Sequence, residues 1–131
     1  QIDTTAASWT VLEQGTMPAS ALTVPLCGEP RAAYCYPGAG QMNSFADAIE
    51  QHHGDAIEIV DAAKWRQEGW YGLGEPNSEL ASRTGDLLAL PMAHNVIKDW
   101  LPTEQRYQVV GTHGGCTLRE MTVPLIVHAS G

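Results

Sequence analysis

A chain of 131 residues, 44% hydrophobic and 17% charged, is long enough for one domain with its own core and too short for two ordinary ones. No apolar run reaches the roughly 18 residues of a membrane span, and the composition speaks against disorder. Seven Lys and Arg against 15 Asp and Glu leave a formal charge of −8; such a surface repels phosphate backbones, so a nucleic-acid polymer is not expected as partner, and without a span-length apolar run neither is a membrane.

In chain order, Gln1 opens without Met and without a charged-plus-apolar leader, which reads as a processed chain or a piece of a longer one. Residues 1–19 form a connector with one anchoring patch at Trp9, Val11 and Leu12. Leu22 to Leu26 is a short apolar run, and Gly28-Glu29-Pro30 is a turn. Arg31 to Tyr36 has strand character up to Pro37-Gly38; a hairpin and a strand after a loop fit equally well. From Gln41 to His53, Met42, Phe45, Ala46 and Ile49 recur at helical spacing, and Gly54 supplies a stop. Ala56 to Val60 alternates as a strand, and Asp61 is placed to cap a short helix through Gln67 or Glu68. Trp70 to Asn77 is a loop carrying exposed-looking aromatics, and Arg83 to Asp86 turns into the strand Leu87 to Leu90. Met92 to Tyr107 holds a short edge strand and an irregular return. These elements predict an α+β unit: a mixed sheet of about four or five strands with two main helices.

The most informative stretch is Gly111-Thr112-His113-Gly114-Gly115-Cys116-Thr117-Leu118-Arg119-Glu120-Met121-Thr122-Val123-Pro124-Leu125-Ile126-Val127. It predicts a strand end, a tight turn presenting one imidazole, a short helical turn and a buried strand. Leu118, Met121 and Val123 to Val127 are expected to anchor the loop in a core. This G-x-HGG turn followed by E-[ML]-x-VPL resembles the last metal-binding motif of the alkaline phosphatase superfamily, in its type I phosphodiesterase and nucleotide pyrophosphatase branch and the related PglZ proteins. A G-E-x-R turn, a G-[WY]-x-G loop and an R-x-GD turn precede it in the family's order. The resemblance implies a two-metal phosphodiesterase or nucleotide pyrophosphatase, with two divalent ions, zinc in this family, and a small phosphorylated or nucleotide substrate. It implies that residues 20–108 are an inserted cap-like subdomain and that 109–131 return to a larger α/β catalytic core.

Only His113 matches the family's set of metal ligands. The Asp-His pair and the segment bearing the nucleophile are missing, and a zinc site needs at least three protein ligands. The chain therefore reads as the C-terminal part of an enzyme, inactive and without tightly bound metal on its own, with the rest of the parent catalytic domain as its partner. Trp70 and Tyr71 could stack on a nucleobase or cover a core edge. Arg31 and Arg83 could grip a phosphate, or an internal carboxylate such as Glu29 or Asp86. His52 and His53 lack the spacing to share an ion and suit the negative end of a helix dipole. His94 reads as a loop surface residue and His128 as a strand-end residue, and Cys116 lacks the third group that a Cys-His nucleophile requires. Cys27, Cys35 and Cys116 are widely spaced, read as reduced thiols and favour a cytoplasmic location. The alternative is a non-catalytic ligand- or protein-binding module in which His113 is a turn residue.

Overall fold

A computed structural model describes residues 9–13, 15–107 and 109–128, and residues 2–3 by their backbone alone. The connector expected over 1–19 and the terminal segment 109–131 therefore fall partly outside the described residues. Among the described residues there are eight strands: β1 (Ile2–Asp3), β2 (Trp9–Leu12), β3 (Cys27–Glu29), β4 (Ala32–Cys35), β5 (Ile57–Asp61), β6 (Leu87–Pro91), β7 (Val96–Asp99) and β8 (Gly111–Thr112). The helices are α1 (Met42–His53), α2 (Ala62–Gln67), α3 (Leu80–Thr84) and α4 (Leu118–Met121).

The main sheet has the order β3-β4-β6-β5, and every neighbour is antiparallel. All five residues of β6 are buried. This suits an unbroken Leu-Leu-Ala-Leu run at the centre of a sheet covered on both faces. Since β4 and β5 each run antiparallel to β6, they run parallel to each other, and α1 makes the crossover between them. The helical face predicted for α1 is the one it buries: Phe45 and Ile49 are fully enclosed in the core with Cys35, Ile57 and Ala89. Asp61 ends β5 and caps α2, its Oδ1 accepting from the Lys64 N–H at 3.0 Å. Arg66 on α2 donates to the Thr84 hydroxyl at 2.7 Å and so ties α2 to α3, a helix the sequence did not announce.

Among the described strands, two further pairs lie outside the main sheet. The anchoring patch around Trp9 is itself a strand, pairing in parallel with β7 from Trp9↔Val96 to Leu12↔Asp99, and Leu12, Val96 and Ile97 are buried. β1 pairs antiparallel with β8, setting Ile2 opposite Thr112 and Asp3 opposite Gly111. The architecture is α+β as expected, with the parallel component confined to β2–β7. Among the described residues no helix is long and apolar enough to cross a membrane.

Some expectations are overturned. Gly28 and Glu29, read as part of a turn, belong to β3, and the turn itself is Pro30-Arg31. Residues 122–128 form no strand, and Val123, Leu125, Ile126 and Val127 are 78%, 87%, 91% and 80% exposed. Leu118 and Met121 are exposed as well, so none of these apolar residues anchors the histidine turn. A strand needs an edge to pair with, and no described strand pairs with this run.

Candidate functional site

The turn that presents His113 is built around a carboxylate. Gly114 has φ +93, a left-handed conformation that favours glycine. The Gly115 N–H donates to Glu120 Oε1 at 3.1 Å, and a Cβ added at Gly115 would lie 2.7 Å from Oε2 and 2.8 Å from Oε1. The second glycine of the HGG turn is thus required because the Glu120 carboxylate occupies the space a side chain would take. The Thr117 N–H and hydroxyl also donate to Oε2, at 3.3 and 2.6 Å, as in a capping box at the start of α4.

The remaining donors come from Arg31, in the turn between β3 and β4. Its Nε donates to Oε1 at 3.1 Å and its Nη2 to Oε2 at 2.8 Å, while Nη1 donates to the Asn95 carbonyl. Arg31 and Glu120 side chains are 0% and 3% exposed. Burial acts to raise the Glu120 pKa. The hydrogen bonds from Arg31 and Thr117, the Arg31 charge and the Gly115 N–H outweigh it and bring the carboxyl down to about 2. Arg31 is therefore withdrawn from any substrate, and its partner is Glu120 rather than Glu29 or Asp86.

His113 itself is exposed and opens onto a cleft of about 170 Å³ whose walls include Trp9, Glu29, Lys98, Trp100 and Tyr107. A hollow of about 380 Å³ is walled by the same three aromatics with Val11 and Arg106. Trp100 and Tyr107 meet edge to face at 5.2 Å, and Lys98 Nζ lies 5.0 Å from the Trp100 ring centre. The cations here already have carboxylate partners, Lys98 with Glu104 at 3.2 Å and Arg106 with Glu13 at 3.2 Å. A larger hollow of about 430 Å³, between α1 and β5, holds none of the candidate residues.

Among the described residues no three His, Cys, Asp or Glu side chains gather closely enough to hold a metal ion. One imidazole does not make a zinc or two-metal site, so these residues alone do not fit the implied metals, and no chemical step follows through them here. The His52 and His53 rings lie 6.4 Å apart at the end of α1, and His94 and His128 are exposed.

Trp70 stacks on Trp65 of α2, with centroids 4.4 Å apart and planes 11° from parallel, and its indole N–H donates to Glu68 at 3.2 Å. One face is therefore taken, although the residue is still 46% exposed. Trp70→Ala is expected to lower stability by about 0.5–1.5 kcal/mol through the lost ring pair, read from the urea midpoint. An unchanged midpoint would return Trp70 to the role of a free stacking platform. The Tyr71 hydroxyl is buried, and the ring lies 6.5 Å from that of Tyr34. Burial, then Tyr34, with a smaller push from Cys116, raises the Tyr71 phenol above its usual range. Arg83 is exposed and pairs with Glu79 one helical turn back, at 2.6 Å. Burial also pushes the Cys35 thiol up to about 12 and raises Cys116, so neither is an activated nucleophile.

The sequence reading missed Glu120, although T-x-x-E at Thr117 is the spacing of a capping box. It also missed the cleft walls: Trp9 comes from the opposite end of the chain to Trp100 and Tyr107, and the three share no local pattern. Comparison with protein-family models, with curated proteins and with solved structures gives no match to this chain.

Proposed function

We propose that this chain is the C-terminal part of a metal-dependent phosphodiesterase or nucleotide pyrophosphatase. In this reading the remaining metal ligands, the nucleophile and the rest of the catalytic sheet belong to the parent protein, which binds two divalent ions. The observation that carries the reading is the exposed run Val123 to Val127, which follows the G-T-H-G-G stretch and the single helical turn α4 that the Glu120 carboxylate ties to it. A strand-length apolar segment exposed on all sides suits a sheet that other residues would supply. The β1–β8 pairing supports it too, because it brings the two ends of the intervening layer together, as an insertion into a larger domain requires. His113 would contribute one imidazole to a metal and Glu29, Lys98 and Tyr107 would border the approach to it. The free thiols of Cys27, Cys35 and Cys116 suit a cytoplasmic setting.

A second reading, a non-catalytic binding module, is favoured because among the described residues His113 belongs to no group of three His, Cys, Asp or Glu that could hold a metal ion. The test is turnover of a chromogenic phosphodiester with added zinc or manganese. The chain alone is expected to be inactive, and the protein encoded by the whole parent reading frame to be active. Metal-dependent turnover by the purified chain would overturn the fragment reading, and an inactive parent lacking an upstream Asp-His-Gly motif would favour the module.

A further inference from the structure

We infer that the buried Arg31–Glu120 pair is the latch that holds the His113 turn, so that the inserted layer positions the histidine as well as bordering its cleft. The inference extends the proposed function to the positioning of its one candidate ligand, but the holding of the turn is tested without any catalysis.

The reasoning starts from what does not hold the turn. α4 is a single turn of helix that buries no apolar residue, too short to persist by its own hydrogen bonds. Its apolar residues, Leu118 and Met121, face solvent, and so does the run after it. Hydrophobic burial, the usual anchor of a loop, is thus missing on the C-terminal side of His113. On the same side one carboxylate receives five donors: Nε and Nη2 of Arg31, the N–H groups of Gly115 and Thr117, and the Thr117 hydroxyl.

Three loops meet at that point. Arg31 belongs to the β3–β4 turn, its third guanidinium nitrogen reaches Asn95 between β6 and β7, and Glu120 gathers residues 115–117. The β3–β4 turn is itself fixed, since the Pro30 carbonyl accepts from the Ile97 N–H of β7 at 2.9 Å. Position therefore passes from β7 through Pro30 and Arg31 to Glu120 and the turn. A two-pronged guanidinium–carboxylate contact sets direction as well as distance, which a lysine in place of Arg31 would not do.

The test is amide hydrogen exchange, followed by NMR in this chain, comparing Glu120→Gln with the double variant Leu118→Ala/Met121→Ala. E120Q is expected to speed exchange at Gly115 and Thr117 by at least about tenfold while β6 stays protected, and to broaden or split the His113 ring signals. The double variant is expected to change neither. Retained protection in E120Q, or loss of protection in the double variant, would overturn the latch. If E120Q does not fold, Arg31→Lys, which keeps the charge and loses the fork, is read by the same two amides with the same consequences. Because none of these readouts involves hydrolysis, an inactive parent protein would count against the proposed function and leave the latch standing.

Discussion

Arg31→Met is expected to destabilise the fold by about 3–5 kcal/mol, because it leaves the Glu120 carboxylate buried without its cation. Arg31 is wholly enclosed and supplies two of the five donors that Glu120 accepts, so water cannot replace the guanidinium without opening the turn. Urea unfolding reads the loss as a fall in midpoint. Removing both partners, in Arg31→Met/Glu120→Leu, is expected to restore a good part of it, since an apolar pair avoids the desolvation that the ion pair must offset. A single variant within about 1 kcal/mol of the parent chain would show that the pair is dispensable.

The acid response follows from the same carboxylate. With its folded pKa lowered from 4.5 to about 2, Glu120 contributes stability that is fully present above pH 4.5 and is lost as pH falls toward 2. In R31M the main lowering influence is gone and burial remains, so the carboxyl's folded pKa rises. The variant should then gain stability relative to the parent chain as pH falls through the carboxylate range, and melting curves between pH 6 and pH 3 would show whether the gap narrows.

Under the proposed function, His113→Ala in the complete protein is expected to lower turnover by about a hundredfold or more, as partners one step further from a metal already cost 10–100-fold. Stability should change by less than about 0.5 kcal/mol, since His113 is exposed and its removal leaves no core cavity. Excess metal should restore part of the rate, because the loss lies in occupancy. Retention of both metal content and rate would make His113 a turn residue and favour the binding-module reading.

Elements whose reasons lie within one or two turns of chain could be read from the residues. The spacing of Phe45, Ala46 and Ile49, the glycine at 54, the Asp61 cap and the apolar Leu87 to Leu90 run each specify local structure through nearby partners, and α1, α2, β5 and β6 stand where they were expected. The glycines around His113 were equally legible as a place where the backbone is free to turn, and of Gly111, Gly114 and Gly115 it is Gly114 that takes the left-handed conformation. Tertiary structure decided which partner each long-range group meets. Arg31 passes over Glu29, two residues away, to pair with Glu120, 89 residues on, because the β3–β4 hairpin and the β6–β7 loop carry its guanidinium to the turn. Whether Val123 to Val127 became a buried strand was likewise not a property of its own side chains. Such a run is buried only if a sheet edge is there to receive it, and among the described strands none is paired with it.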